Sequence, residues 1–319
     1  MRIVFMGSGE FGCESLRWLV GSAGREHQVL EAITQPARQA GRGRKMHPTP
    51  IASAAEELNL PYRQSENVND HELVDHITSL EPEILLVIAF GQKIGTALLN
   101  LPNCRVINLH GSLLPKYRGA APINWAIING EKQTGLTVIE VNEIWDAGNI
   151  LGQVATEIKP HETAGELHDR LAIMGPHLVG EVLEKIAQGT DAPLIQDDSL
   201  ACRAPKLEKN DGKIRWDQGV RGIRNFIHGM WPWPGAFCQL QQKAKTMPER
   251  VCIGRAEVIS ECADETTEPP GTVTEDMSII CRPGKIKLLE IRPDNSKLMD
   301  FAAFVNGRRL QPGDRFLDG

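Results

Sequence analysis

The sequence predicts an α/β fold followed by a small β-barrel. Three observations carry this expectation. β-Branched apolar runs alternate with helical periodicities over the first half of the chain, and a long amphipathic segment closes that half. Beyond it the pattern changes to apolar runs punctuated by Pro-Gly turns. Strands are expected at residues 2–6, 29–34, 84–89 and 105–109, with helices at 11–20, 51–59 and 72–80 between them. Such alternation implies crossover connections, hence a parallel sheet covered by helices. The expected architecture is Rossmann-like: a mostly parallel twisted sheet with helices on both faces.

Residues 137–141 and 153–158 flank a Gly-containing loop and read as a strand pair at one edge of the sheet. Residues 162–188 carry Leu167, Leu171, Leu178, Val182 and Ile186 on one helical stripe, with a kink expected at Gly175-Pro176. Residues 1–188 therefore form the first domain. A polar stretch of weak periodicity at 189–206 serves as linker. Residues 207–319 form the second domain, with one helix at 220–227. The rest reads as short strands separated by turns at Pro269-Pro270-Gly271, Arg282-Pro283-Gly284 and Gln311-Pro312-Gly313. This pattern suits an OB-like small β-barrel.

Composition is that of an ordinary globular protein, with 41% hydrophobic and 24% charged residues. No apolar run approaches the roughly 20 residues of a membrane span, so no membrane association is expected. The chain enters its first strand at Arg2, so no signal peptide is expected. Seven scattered cysteines without a C-x-x-C pair suit reduced thiols and a cytoplasmic protein, and argue against a structural metal or a disulfide framework. The chain is expected to be a monomer. The net charge of −6 does not favour a general nucleic-acid binder. Residues 207–319 hold 17 Lys and Arg against 16 Asp and Glu, which makes the second domain the better home for a polyanion.

The candidate chemistry lies at Asn108-Leu109-His110, followed by Gly111-Ser112-Leu113-Leu114-Pro115. Strand alternation projects Asn108 and His110 from one face, at the carboxyl end where α/β sheets bind ligands. An amide and an imidazole there suit a developing oxyanion. A carboxylate beside the ring would favour its charged form, and the loop 143–149 offers both Glu143 and Asp146. Spacing alone does not choose between them. Gly7-Ser8-Gly9-Glu10-Phe11-Gly12 matches a dinucleotide fingerprint, with Glu31 near the acidic position, so an NAD(P)-dependent oxidoreductase is the alternative of another class. Against it, the strand runs on through Ala32-Ile33-Thr34, and no hydride-transfer site follows. A tight strand-to-helix turn uses the same glycines.

The stretch from Asn108 to Pro122, Asn-Leu-His-Gly-Ser-Leu-Leu-Pro-Lys-Tyr-Arg-Gly-Ala-Ala-Pro, closely resembles the signature of the folate-dependent formyltransferases. Thr34-Gln35-Pro36, Ala40-Gly41-Arg42-Gly43-Arg44-Lys45, Ala204-Pro205-Lys206-Leu207, Trp233-Pro234-Gly235-Ala236 and Phe304-Val305-Asn306-Gly307 extend the resemblance over nearly the whole chain. It implies transfer of a formyl group from 10-formyltetrahydrofolate to the α-amine of methionyl initiator tRNA. Matched position by position, Asn108, His110 and Asp146 are the implied catalytic trio; the resemblance selects Asp146 over Glu143. Ser112, Leu113, Leu114 and Pro115 match the folate-contacting segment, with main chain near Ile88, Phe90, Gly91, Gln92, Val141 and Ile144 expected to hold the pterin. The resemblance also sends Arg38, Arg42, Arg44 and Lys45 into the acceptor stem; Lys206 is a further candidate for a phosphate contact by its charge. Two departures stand out. Asp146-Ala147-Gly148-Asn149 replaces the common Asp-Thr-Gly-Asp, and Ala37 and Gln39 replace Asp and Pro. A formyltransferase acting on a sugar or nucleotide amine is the nearest rival; it would share the trio but have no use for the Gly-Arg-Gly-Arg-Lys loop.

Overall fold

The computed structural model describes residues 1–21, 27–40, 45–262 and 267–319. They divide into two compact units. The first comprises Met1–Ala120, Thr134–Thr156 and His168–Pro205, and the second Ala121–Gln133, Glu157–Leu167 and Lys206–Gly319.

In chain order the elements up to residue 204 are β1 (Arg2–Gly7), α1 (Cys13–Gly21), β2 (Gln28–Thr34), β3 (Arg38–Ala40), β4 (Lys45–His47), α2 (Pro50–Glu57), β5 (Tyr62–Gln64), α3 (His71–Ser79), β6 (Ile84–Ile88), α4 (Thr96–Leu99), β7 (Arg105–His110), β8 (Arg118–Gly119), α5 (Pro122–Ile128), β9 (Gln133–Glu140), β10 (Ile150–Glu157), α6 (Ala164–Gln188) and β11 (Arg203–Ala204). The main sheet runs β10-β9-β7-β6-β1-β2-β5. The pairs β1–β2, β1–β6, β2–β5 and β6–β7 are parallel, while β9 lies antiparallel to β7. The sheet is thus mostly parallel, with β9 and β10 at the expected edge.

Local sequence explains the main elements. β6 reads Ile-Leu-Leu-Val-Ile and is buried throughout, as befits a central parallel strand covered on both faces. α2 starts at Thr49, whose hydroxyl accepts the Ala52 N–H, with Pro50 in the first turn. α6 opens with a capping box: Glu166 accepts the Thr163 N–H at 2.8 Å while Thr163 Oγ1 receives the Glu166 N–H. It continues as one helix through Gly175-Pro176. A Cβ on Gly175 would come within 3.0 Å of Leu109, and one on Gly180 within 2.5 Å of Trp18, so small residues let this helix lie close on the sheet and on α1.

The second unit continues with α7 (Val220–Met230), β12 (Ala236–Gln241), β13 (Glu249–Ser260), β14 (Ile279–Ile280), β15 (Lys285–Pro293), β16 (Met299–Asp300), α8 (Phe301–Arg308) and β17 (Arg315–Leu317). Its antiparallel sheet runs β14-β15-β13-β12-β17, with β16 beside β15. The bridges Thr272–Arg315 and Val273–Ile279 join the two ends, so a short extended stretch closes the barrel. Inward residues alternate as expected: Ala236, Cys238 and Leu240 on β12, Val251 and Ile253 on β13. α7 seals one side through Val220, Ile223, Ile227 and Met230.

Two expectations for this unit need correction. β13 and β15 are long, at 12 and 9 residues, and a register shift beside Gly254 lets β13 bend around the core. The stretch after residue 227 also holds a helix. Asp300 caps α8 by accepting the N–H groups of Ala302 and Ala303, Phe301 and Phe304 are buried three residues apart, and Arg309 ends it in the left-handed conformation.

Candidate active site

β7 delivers Asn108 and His110 to the carboxyl edge of the sheet on one face. Asn108 lies beside Val87 of β6 and Ile139 of β9. It is half-buried, and its carboxamide has no hydrogen-bond partner among the described residues. His110 is buried, 6% exposed. Its Nε2 stands 2.9 Å from the Tyr117 carbonyl oxygen. A carbonyl only accepts, so Nε2 carries a proton and Nδ1 is the nitrogen turned to Asp146 Oδ1, 3.7 Å away. That gap exceeds a hydrogen bond. The other oxygen, Asp146 Oδ2, accepts the Gly119 N–H at 2.8 Å.

Of the two candidate acids, Asp146 faces the imidazole; Glu143 is exposed and forms no contact with it. The loop reaches this arrangement through backbone conformations that L-residues seldom adopt: Asp146 has φ 54° and Tyr117 φ 63°. Gly119, at φ 127°, could not carry a side chain, because a Cβ there would lie 2.5 Å from the Ala204 carbonyl oxygen. Gly148 is tighter, with a Cβ falling 1.7 Å from the Glu140 carbonyl oxygen. Asn149 donates from Nδ2 to Glu140 at 2.9 Å, and Glu140 also pairs with Arg105. An amide therefore fits at the position where the signature carries a second acid. Tyr117 and Gly119 act through main-chain groups, and only the glycine leaves any trace in the sequence.

A cleft beside the trio is bordered by Val87, Gln92, Lys93, Ile94, Asn108, Ile139, Val141 and residues 142–146. The structure therefore gathers Asn108, Asp146, Gln92, Val141 and Ile144. Its floor is apolar, and Asn108 and Asp146 are polar groups within it, a combination typical of ligand sites. The Gln92 carboxamide is engaged on both sides, donating to Ser65 O and accepting the Val68 N–H. Ile88 and Phe90 are buried side chains outside the cleft lining, and Phe90 O receives Ser8 Oγ and Gln35 Nε2. Ser112 to Pro115 also lie off it. The Ser112 hydroxyl donates to Lys116 O, and Leu114 is tied to Thr137 through its N–H and to Gln153 through its carbonyl.

The basic loop begins and ends in an antiparallel hairpin, β3 against β4. Arg38 and Lys45 are exposed on it, and Arg38 donates to the Gln35 carboxamide oxygen. Arg42 and Arg44 lie outside the described residues. Lys206 is exposed and belongs to the second unit. The glycine-rich turn after β1 has a packing role. The N–H groups of Ser8 and Gly9 both donate to Ala89 O at 3.2 Å, so neither is free for a pyrophosphate. Gly7 and Gly12 let the turn pass Ile88, Phe5 and Ile51. Glu31 is buried and held by His76 at 2.5 Å and Arg63 at 3.6 Å, which removes it as a ribose ligand.

Two family models match the chain, formyl transferase over residues 1–183 and formyl transferase C-terminal domain over residues 206–309. The chain is 38% identical to methionyl-tRNA formyltransferase of Geobacter metallireducens over 99% of its own length and 98% of the relative's. It belongs to the methionyl-tRNA formyltransferase family. The formyltransferase of the same name from Moorella thermoacetica is likewise 38% identical, over 98% of both chains. Solved structures share the fold at low identity. The N-formyltransferase from Helicobacter canadensis, crystallised with folinic acid and dTDP-3-aminofucose, superposes with a TM-score of 0.63 at 17% identity, over 90% of this chain and 98% of that one. HypX from Aquifex aeolicus, in complex with tetrahydrofolic acid, gives 0.60 at 18% identity over 96% of this chain; the chain spans about half of HypX, 47%.

Proposed function

We propose that this chain transfers the formyl group of 10-formyltetrahydrofolate to the α-amine of methionyl initiator tRNA, giving the formylated aminoacyl-tRNA used to start translation. The observation that carries the reading is the Asn108–His110–Asp146 arrangement beside an apolar cleft, in a chain collinear with full-length relatives of that name. The apolar walls Val87, Ile94, Ile139 and Val141 suit a flat heterocycle, and the folate supplies an activated formyl group.

The amine attacks the formyl carbon, and the carbonyl oxygen becomes a tetrahedral oxyanion. Asn108 offers an unengaged N–H donor to that oxygen. His110 adds its charge when doubly protonated, with its ring oriented by Tyr117 O and Asp146. Asp146 takes the proton released by the amine, and the same proton leaves with the folate nitrogen as its bond to carbon breaks. The loose 3.7 Å separation suits a pair that tightens once the substrate is seated. One chain contributes every group the reaction needs, so a monomer suffices. The exposed Arg38 and Lys45, with Arg42, Arg44 and Lys206, are assigned to the phosphates of the acceptor stem. No described helix is long and apolar enough to cross a membrane, and we assign the protein to the cytoplasm, where its acceptor resides.

The test is a formyl-transfer assay with 10-formyltetrahydrofolate and initiator or elongator methionyl-tRNA. Product on the initiator, lost in His110→Ala, is expected. Formylation of an amino sugar with no transfer to either tRNA would overturn the reading.

A further inference from the structure

The trio is held by a part of the chain that the formyltransferase signature does not include. Residues 194–204 run as a strap along the two loops that carry the site. Leu194 exchanges both backbone hydrogen bonds with Ile150, at 2.8 and 2.9 Å. Further on, Cys202 O accepts the Arg118 N–H at 2.9 Å, and β11 pairs with β8. Between these anchors sits Gln196, 7% exposed and polar. Its Nε2 donates to Asp146 O at 2.8 Å and to Gly148 O at 2.7 Å. Its Oε1 accepts from Arg118 Nε at 3.1 Å and Nη2 at 2.8 Å, and Arg118 goes on to Asp198. One buried carboxamide thus joins the loop of Asp146 to the segment that carries Tyr117 and Gly119.

We propose that Gln196 is a positioning residue for the formyl transfer: its amide clamps the carbonyls on either side of Ala147 and so fixes the Asp146 carboxylate against Gly119 and His110. This rests on the reading of Asp146 as a catalytic group. The physical ground is the backbone of Asp146. A non-glycine residue at φ 54° persists only where its surroundings over-determine it. The Gly119 N–H holds the side chain, and Gln196 holds the main chain on both sides. Both Nε2 protons and the Oε1 lone pairs are engaged, so no other orientation of the carboxamide satisfies the site.

Two variants separate the halves of the clamp. Gln196→Leu preserves volume and removes every polar contact. Gln196→Glu keeps the acceptor for Arg118 but sets a carboxylate oxygen against two carbonyls. Displacement of a reacting group by about 1 Å costs on the order of 100-fold, so both variants are expected to lower kcat by roughly 30- to 100-fold. KM for 10-formyltetrahydrofolate should stay within about threefold, because Val87, Ile94, Ile139 and Val141 lie outside the clamped loop. Hydrogen exchange in the peptide spanning residues 143–149 should accelerate while the rest of the chain keeps its protection, a split that general destabilisation would not give. Combined with Asp146→Asn, Gln196→Leu should add little further loss. Wild-type kcat in Gln196→Glu, or a double variant losing the full product of the two factors, overturns the proposal. Wild-type kcat in Asp146→Asn alone overturns the assignment of Asp146, and the proposal falls with it.

Discussion

Gly148 offers a sharp test of how tightly the Asp146 loop must be held. An alanine there would put its Cβ 1.7 Å from the Glu140 carbonyl oxygen and 2.7 Å from the carbonyl carbon. Both are backbone atoms in β9, which pairs with β7, so they cannot rotate aside. Carbon–oxygen contacts below about 3 Å are not tolerated, and the loop must retreat by more than about 1 Å. Asp146 lies two residues away and would leave the 2.8 Å hydrogen bond to Gly119 N. A shift of this size costs on the order of 100-fold in rate, or about 2.7 kcal/mol of barrier. The measurement is kcat and KM for Gly148→Ala with initiator methionyl-tRNA, alongside circular dichroism and Tm to establish folding. We expect kcat to fall about 100-fold with KM for the folate nearly unchanged. A folded Gly148→Ala enzyme at wild-type kcat would refute the argument, since the loop would then have moved without consequence for the reaction.

With Asn108 as the proposed oxyanion donor, Asn108→Ala should lower kcat by about 100- to 1000-fold, read in single-turnover assays, with little change in folate binding. His228, 2% exposed on α7, gives a pH-dependent stability. Burial, with Arg224 and Arg255 nearby, pushes its pKa down from 6.5 to about 4, and its Nε2 accepts the Ala256 N–H. The unfolded chain therefore takes up a proton below pH 6.5 that the folded chain refuses until about pH 4. Stability should fall by about 3 kcal/mol as pH drops through that window and level off beneath it. Urea unfolding between pH 7.5 and 4 should show this slope, and His228→Gln should remove it. Finally, titration with NADH should give no saturable fluorescence change, and Gly12→Ala should lower Tm, since its Cβ would press on Phe5 and Ile51 at 3.2 and 3.3 Å.

How much of this was legible in the sequence depended on whether the signal was local. β6 announced itself because Ile-Leu-Leu-Val-Ile fits little but a buried strand, and the placing of Asn108 beside His110 follows from strand alternation alone. β5, β3 and β4 are three residues each, mostly polar, and exist through their neighbours, which periodicity does not record. α8 escaped notice because Phe301 to Val305 form a continuous apolar run rather than a helical stripe. Spacing left Asp146 and Glu143 open and the resemblance chose Asp146; the conformation that aims it at the ring, set by the Gly119 N–H and by φ 54° at Asp146, does not appear in residue spacing. Gln196 lies 50 residues from Asp146 in a stretch read as linker, where only the fold reveals its partners.

The stretch from Gly271 to Val273 stitches β17 to β14, with Phe316 N–H donating to Gly271 O and Gly271 N–H to Ile280 O. Through it β14, β15, β13, β12 and β17 form a ring, with β16 beside β15. Unpaired strand edges are the places where one polypeptide recruits another into fibrillar stacks. Deleting residues 315–319 would therefore do more than shorten a tail. It would unzip the ring, bare the outer edges of β12 and of the stitching segment together, and turn a self-contained module into a template for intermolecular pairing.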